Sequence, residues 1–274
     1  MNIEQRLVAD IGGSNMRVAL YNPQNRQWSE QQTLVCEKYP GPQQPLSDYL
    51  DKLTINCPPK VCLAMAAIPS GGDQVAMTNL PWRFSQRELK QHLGCEQLAI
   101  INDFDAIGLS LPHLASSQLL ELQANSGAVN KHLLAIGPGT GLGGCVLTEG
   151  GEVLPCEPGH VGLSPATKLE FEIFQRLLMD VDEVYAELLL SGPGLERLYL
   201  CLADILDHEA IINGAENITE AAIAGDELAL KSVNVFCDLL GSAAGDFATS
   251  TGALGGIYLA GGILPRMIKL LERS

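Results

Sequence analysis

Two glycine-rich stretches decide the fold class of this chain. Residues 7–14 read LVADIGGS and run into the apolar residues 18–20, VAL. Residues 133–140 read LLAIGPGT and run into residues 145–147, CVL. Each stretch predicts a buried strand, a glycine-rich turn with a hydroxyl residue, and a second strand. Two interpretations stay open: chance similarity between glycine-rich turns, or a duplicated domain whose hairpin turns each offer backbone N–H groups to an anion.

The glycines do not fit two common nucleotide-binding motifs. The chain has no GxxxxGK[ST] sequence, which excludes a P-loop. Residues 139–144, GTGLGG, match GxGxxG, but a dinucleotide-binding fold needs these glycines to open a helix. Here they lead into the strand predicted at 145–147, so we reject the dinucleotide interpretation. A strand–turn–strand unit remains, in which the turn can wrap phosphates because glycine lacks a Cβ.

The rest of the chain predicts a mixture of strands and helices. Ser85 with Glu88 three residues later predicts a capped helix start. Residues 68–72, IPSGG, are expected to end a buried strand at 61–67, and the small residues 241–244, GSAA, predict close packing of a long helix. The other predicted strands are 31–36, 98–101, 153–156 and 256–260, and the other helices are 46–53, 169–179, 195–206, 218–223, 227–249 and 265–273.

The composition predicts a folded chain and limits its partners. Its 274 residues are 46% hydrophobic and 18% charged, which suffices for one large or two medium domains and excludes a disordered protein. The formal net charge of −15 repels phosphate backbones and anionic lipids, so neither nucleic acid nor a membrane is an expected partner. The eight cysteines form no CxxC pair, and the N-terminus has no signal-peptide pattern. We therefore expect reduced, mostly buried thiols in a cytoplasmic protein.

Charged residues at predicted strand ends are candidate site residues. Asp10 ends the first strand before the glycine turn, where its carboxylate either faces Mg²⁺ or makes a turn hydrogen bond. Arg17 lies just past that turn and points either to bound phosphates or outward. Asp103 follows the strand at 98–101, at the edge where α/β sheets bind ligands, and is a candidate general base. Local sequence alone favours the alternative that Asp103 is a helix N-cap.

A second group of polar residues lies in loops of the C-terminal half. Glu157 and His160 are three residues apart in a loop stiffened by proline and glycine, and Glu187 precedes the sequence SGPG at 191–194. Carboxylates and an imidazole suit recognition of a polyol, because each accepts hydrogen bonds from hydroxyl groups. A metal site is the rival interpretation, although the loop lacks further ligands at metal-site spacing. A solvated polar loop is the third.

Taken together, these segments resemble the bacterial glucokinase family of the hexokinase–actin-like superfamily. The resemblance covers nearly the whole chain, and seven motifs occur in the order that this family shows. They are DIGGSN at 10–15, MTN at 77–79 with Trp82, INDF at 101–104, GPGTGLG at 137–143, EPGHV at 157–161, Glu187 with LSGPGL at 190–195, and GG at 255–256 with AGGI at 260–263.

The resemblance implies an α/β fold and a reaction. The fold would consist of two actin-like, ribonuclease H-like domains around a central cleft, spanning residues 1–110 and 111–274, with duplicated β-hairpin phosphate loops. The reaction would convert ATP and D-glucose to glucose 6-phosphate and ADP with Mg²⁺, as a step of glycolysis. No zinc is expected, because the cysteine-rich zinc motif of the related repressor–kinase–ORF (ROK) sugar kinases is missing after residue 160. The resemblance leaves a homodimer open.

The resemblance also implies a role for each candidate site residue. Asp103 would be the base that accepts the proton of the sugar 6-hydroxyl, and Asp10 would face Mg²⁺, directly or through water. The sugar hydroxyls would be bound by Asn102, Glu157, His160 and Glu187. The ATP phosphates would be bound by Asp10, Ile11, Gly12, Gly13, Ser14 and Asn15 in the first loop, and by Gly137, Gly139, Thr140 and Gly141 in the second.

The chain ends at Ser274, earlier than this family predicts. A final strand and helix returning to the first domain are therefore expected to be absent, which predicts lower stability, incomplete closure and weak or absent activity. Two alternatives to an active glucokinase follow: a truncated, non-catalytic paralogue that binds sugar or nucleotide, and a kinase for another hexose.

Overall fold

A computed structural model describes residues 5–67, 72–123 and 131–272 of the chain. The chain divides into two units, Met1–Ala106 and Ile107–Ser274. The division lies inside a helix that begins at Asp103 and ends at Ser110. The strand-ending signal expected at 68–72 lies mostly outside the described residues, as does the last residue of the helix predicted at 265–273.

The first unit is built on a five-stranded mixed sheet and a separate two-stranded hairpin. The sheet order is β3-β2-β1-β4-β7, in which β2 is antiparallel to its neighbours and β4 and β7 run parallel to β1. The strands are β1 (Arg6–Ile11), β2 (Asn15–Asn22), β3 (Gln27–Val35), β4 (Lys60–Met65), β5 (Gln74–Ala76), β6 (Arg83–Ser85) and β7 (Gln97–Asn102), with β5 and β6 forming the hairpin.

Helices cover the apolar face of this sheet. They are α1 (Gln43–Leu53) and α2 (Gln86–Leu93), and α3 (Asp103–Ser110) follows β7. Side chains alternate along β4, so that Leu63 and Met65 are fully buried in one core cluster with Leu46 of α1 and Leu89 of α2. Each such side chain contributes roughly 1.5–3 kcal/mol by burial, which makes this layer the main support of the strand ends that carry Asp10 and Asn102.

In its described residues, the second unit combines a four-stranded sheet with six α-helices that begin within it. The sheet order is β10-β9-β8-β11, with β9 antiparallel to β8 and β10, and β11 parallel to β8. The strands are β8 (Leu133–Pro138), β9 (Leu142–Leu147), β10 (Val153–Cys156) and β11 (Gly256–Leu259). The helices are α4 (Lys168–Leu177), α5 (Ala186–Leu189), α6 (Gly192–Ile205), α7 (Ala215–Ala224), α8 (Glu227–Thr251) and α9 (Leu264–Leu271).

Helix α8 is the centre of the second core. Its fully buried Val233 and Phe236 belong to the same cluster as Leu195 and Leu198 of α6. The helix begins where Asp226 accepts a hydrogen bond from the Ala229 N–H at 2.8 Å, which satisfies one of the donors left free in a first helical turn. It ends before Gly252, whose φ of +68° suits glycine at a helix C-terminus. In the described part of the chain, no helix is both long and apolar enough to cross a bilayer.

Most predicted elements are present, but several boundaries were wrong. The strand predicted at 61–67 ends at Met65, and Ala67 instead pairs with Met77 in an isolated bridge. Strand β9 begins at Leu142 rather than at 145, because pairing with β8 extends it into the glycine-rich segment. The sequence analysis missed β5, β6 and α5, whose three or four residues are too short for a periodic pattern.

Candidate active site

The end of β7 presents a side-chain amide and a carboxylate next to each other. Asn102 Oδ1 accepts hydrogen bonds from the N–H groups of Phe104 at 2.8 Å and Asp105 at 3.4 Å, and Nδ2 donates to Ala67 O at 3.3 Å. Asp103 is the first residue of α3, and its Oδ1 also accepts from the Phe104 N–H, at 3.0 Å. Asn102, rather than Asp103, therefore makes most of the N-cap hydrogen bonds of α3, and it fixes the start of the helix on which Asp103 lies.

The surroundings of Asp103 favour proton acceptance. Partial burial raises the pKa of Asp103, the hydrogen bond from the Phe104 N–H opposes this, and the negative charge of Asp10 raises the pKa further. Burial likewise raises the pKa of the neighbouring Asp105. A carboxylate with a raised pKa binds a proton more readily near neutral pH, which suits a general base. The structure also shows that Asp10 and Asp103, far apart in sequence, interact electrostatically within the first unit.

Asp10 and Arg17 form an ion pair across the first hairpin. They are opposite each other in the β1–β2 register, and Arg17 Nη1 donates to Asp10 Oδ2 at 2.9 Å. Their side chains are 51% and 71% exposed, so solvent screens the pair and limits its contribution to about 1 kcal/mol or less. The sequence did not predict whether the Arg17 side chain points to bound phosphates or outward. In the structure it contacts the Asp10 carboxylate. A cation could displace so weak a pair.

The turn between β1 and β2 is closed by its backbone. The Gly12 N–H donates to Asn15 O at 2.9 Å, and the Ser14 carbonyl accepts from the Cys36 N–H at 2.9 Å. Ser14 and Asn15 are exposed, whereas the Ile11 side chain is fully buried in the core. Of the six residues expected to bind phosphate here, Ile11 can therefore contribute only through its backbone.

The second glycine-rich turn is held from three sides. Within it, the Gly139 N–H donates to Gly141 O at 2.7 Å, and from outside the Gly192 N–H at the start of α6 donates to Gly139 O at 2.8 Å. A Cβ at Gly137 would overlap the carbonyl of Ala260, which follows β11. Thr140 is exposed, and a Cβ at Gly139 would meet nothing within 4 Å. The crest of this turn, residues 139 and 140, is thus the part open to a ligand.

Glu157 and His160 lie side by side on a short 3-10 turn. His160 Nδ1 is 4.0 Å from Glu157 Oε2, and both side chains are exposed. The His160 ring stacks on the Tyr185 ring, with centroids 6.4 Å apart and planes 4° from parallel. Backbone hydrogen bonds from Leu163 to Val184 O and from Ala186 to Val161 O hold this loop to the segment before α5. Over residues 5–67, 72–123 and 131–272, no three His, Cys, Asp or Glu side chains cluster as a metal site.

Glu187 joins the two loops of the second unit. Its Oε2 accepts a hydrogen bond from the Leu142 N–H at 2.8 Å, directly after the glycine-rich turn. The same carboxylate fills the space that side chains at Gly141 and Gly159 would need. The structure therefore brings Glu187 to the phosphate-loop residues as well as to the predicted sugar loop.

The sequence analysis assigned no role to two residues of this neighbourhood. Tyr185 supports His160 by stacking, and no local pattern singles it out. Ser191 donates from Oγ to Glu187 O at 2.8 Å and accepts from the Gly194 N–H at 3.0 Å. Its position before Gly-Pro-Gly is a helix-start signal, since Ser is a favoured N-cap and Pro is common in the first turn, and that signal could have identified it.

Comparison with known proteins decides the family. Residues 7–274 match the sequence profile described as Glucokinase. The chain belongs to the glucokinase family. The glucokinase of Saccharophagus degradans is 38% identical over an alignment 275 positions long, which covers 98% of this chain and 85% of that protein.

Solved glucokinase structures share the fold. The crystal structure of a glucokinase from an Antarctic psychrotroph is 37% identical with a TM-score of 0.87, and the match covers 99% of this chain and 87% of that one. The glucokinase of Balamuthia mandrillaris, solved in complex with glucose, is 22% identical with a TM-score of 0.80, covering 98% and 82%, and shows the fold alone. The expected α/β class is thus confirmed as that of the glucokinases.

Proposed function

We propose that Asp103 is the general base of an ATP-dependent phosphorylation of D-glucose. Glucose phosphorylation follows from membership of the glucokinase family over nearly the whole chain, which makes this protein a hexose kinase. The observation that carries the residue assignment is the partly buried Asp103 carboxylate, positioned by the Asn102 cap and with a raised pKa. Asp103 takes the proton of the 6-hydroxyl while that oxygen bonds to the γ-phosphorus. The bond to the β–γ bridging oxygen breaks, and ADP leaves.

The two glycine-rich turns are the proposed phosphate sites. In the first, backbone groups from Gly12 to Asn15 would contact phosphate oxygens, and in the second those of Gly139, Thr140 and Gly141 would do so. The Gly139 N–H already donates to Gly141 O, so in the second turn phosphate oxygens would approach the N–H groups of Thr140 and Gly141, with open space beside Gly139 where a Cβ would lie. Both turns connect antiparallel strands that follow the same apolar pattern, which supports a duplicated hairpin.

Asp10 fits a magnesium ion that accompanies the nucleotide. Its carboxylate supplies the hard oxygen ligands that Mg²⁺ prefers, and its partner Arg17 is exposed and weakly bound. When bound, the ion would neutralise charge on the transferring phosphoryl group. Without the ion, the negative charge of Asp10 raises the pKa of Asp103.

The sugar hydroxyls would be bound by Asn102, Glu157, His160 and Glu187. The exposed carboxylate and imidazole of the 157–160 turn support this role, since both can accept hydrogen bonds from hydroxyl groups. The Tyr185 ring lies parallel to the exposed His160 ring, with centroids 6.4 Å apart. A homodimer stays a prediction, and sedimentation velocity would test it.

A coupled assay of ADP release with a panel of hexoses tests the function. We expect ADP release that needs glucose and is abolished by EDTA. Glucose should give a higher kcat/KM than mannose, galactose or fructose. A preference for one of those sugars would show a kinase for another hexose. Binding of glucose and ATP without ADP release would show a non-catalytic paralogue.

A further inference from the structure

The Glu187 carboxylate reaches the end of the second glycine-rich turn. The Leu142 N–H, which donates to Oε2 at 2.8 Å, is the first backbone donor after residues 139–141. A carboxylate acceptor makes a stronger hydrogen bond to an amide than a neutral oxygen does. Oε1 has no hydrogen-bond partner among the described residues. Oε2 therefore holds the turn, while Oε1 can accept a hydrogen bond from a ligand.

Two glycines leave space for the Glu187 carboxylate. A Cβ at Gly141 would overlap Glu187 Oε2, and a Cβ at Gly159 would lie 3.1 Å from Oε2 and 2.7 Å from Leu142 O. The helix that carries Glu187 is tied to the same turn, because Ser191 Oγ donates to Glu187 O and the next residue, Gly192, donates to Gly139 O at 2.8 Å. The turn, the 157–160 loop and α5 therefore meet at one side chain.

We infer that Glu187 is a positioning residue for the phosphate-binding turn, in addition to any contact with sugar, and that it couples the occupancy of the two substrates. This inference rests on the proposed function, in which residues 139–141 face ATP and Glu187 faces glucose. A sugar hydroxyl bound to Oε1 restricts the carboxylate, and the restricted carboxylate holds the Leu142 amide and the turn before it. By reciprocity, a bound nucleotide tightens glucose binding by the same factor.

Three variants separate positioning from sugar contact. Glu187→Ala removes both functions. Glu187→Gln keeps an amide oxygen that can accept from the Leu142 N–H but loses the charge. Glu157→Gln is the matched control, since it makes the same chemical change in the neighbouring loop without touching Leu142. Calorimetric titration with the non-hydrolysable nucleotide AMPPNP and Mg²⁺, with and without glucose, is combined with hydrogen exchange resolved at the Leu142 amide.

We expect Glu187→Ala to weaken AMPPNP binding about 5- to 20-fold and to speed exchange of the Leu142 amide by at least about tenfold. Both effects correspond to the loss of one charge-assisted hydrogen bond. Glucose should no longer alter nucleotide affinity in this variant. Glu187→Gln should keep both properties within about threefold while glucose binding weakens, and Glu157→Gln should affect glucose alone. Unchanged AMPPNP affinity and Leu142 exchange in Glu187→Ala would overturn the inference, as would a Glu187→Gln variant whose Leu142 amide exchanges as fast as in the alanine variant.

A steric variant tests the same contact if Glu187→Ala does not fold. Gly141→Ala, made with Glu187 in place, should displace the carboxylate and speed Leu142 exchange. Gly150→Ala, in the β9–β10 turn with only ordinary contacts, is its control and should leave Leu142 exchange unchanged. Leu142 exchange as slow in Gly141→Ala as in the parent would refute the contact. Leu142 exchange is measured without substrates, so a failure of the proposed function, seen as absent turnover or glucose binding, stays distinguishable from a failure of the positioning role.

Discussion

Replacing Asp103 by asparagine removes the proposed base and leaves its position intact. The start of α3 is held by Asn102 Oδ1, which accepts from the Phe104 and Asp105 N–H groups, and the substitution does not touch these bonds. Asparagine also keeps an Oδ1 that can accept from the Phe104 N–H, as Asp103 does at 3.0 Å. Any change in turnover therefore reflects the lost carboxylate rather than a disturbed helix.

Asp103→Asn is expected to lower kcat strongly without lowering the stability of the folded chain. Removing a general base costs about 10²–10⁴-fold in kcat, which corresponds to about 3–5 kcal/mol of transition-state stabilisation. Because burial raises the pKa of Asp103 in the folded chain, its ionised form is less favourable there than in the unfolded chain. The stability linked to this group is present below the unfolded pKa of about 3.9 and is lost as the pH rises through the folded value. Asp103→Asn should thus melt no lower than the parent at pH 7.

Steady-state ADP release and glucose titration together test this prediction. Glucose affinity should change little in Asp103→Asn while kcat falls, and the acid limb of the parent pH profile, where Asp103 is protonated, should disappear from the residual activity. Asp105→Asn is the matched control, because Asp105 lies in the same helical turn and burial raises its pKa too. A kcat for Asp103→Asn within a few-fold of the parent, or equal losses in the two variants, would refute the role of Asp103 as base.

Three further perturbations follow from the structure. Glu157→Gln and His160→Ala should weaken glucose binding more than ATP binding in calorimetry, since unpaired polar groups remain in the site, and the reverse order would contradict the sugar-loop assignment. Ser85→Ala should lower the unfolding free energy by about 1 kcal/mol in urea denaturation, because Ser85 Oγ accepts from the Glu88 N–H at 3.1 Å. Gly241→Ala should raise it by up to about 1 kcal/mol, since a Cβ there meets nothing within 4 Å, and a loss would show a hidden close contact.

Local signals in the sequence located most of the framework. The apolar run before Asp10 predicted β1, and the Ser85–Glu88 spacing predicted the start of α2, whose N-cap bond the structure confirms. Such features depend on neighbours within one turn or strand, so a single sequence contains them. The prediction of close packing at 241–244 was wrong for Gly241, which is exposed, and holds for Ala243 and Ala244, which are buried.

Contacts between distant segments could not be found in the sequence. Glu187 and Leu142 are 45 residues apart, and the hydrogen bond between them depends on α5, a four-residue helix without a periodic pattern. The interaction of Asp10 with Asp103 depends on the order β1-β4-β7 in the first sheet. The sequence could identify these residues as acids near strand or helix ends, but not which group each of them faces.

The glycines of the second turn differ in what the packing around them requires. From the sequence, every glycine between 137 and 141 suits a turn that wraps phosphate, because each lacks a Cβ. In the structure, Gly137 makes room for the Ala260 carbonyl and Gly141 makes room for the Glu187 carboxylate, whereas Gly139 has open space beside it. Two of the three glycines are thus required by packing within the unit, whatever the ligand. At Gly139, next to the exposed Thr140, the absence of a side chain instead leaves open space, and Gly137 and Gly141 would serve a phosphate only through their backbone groups.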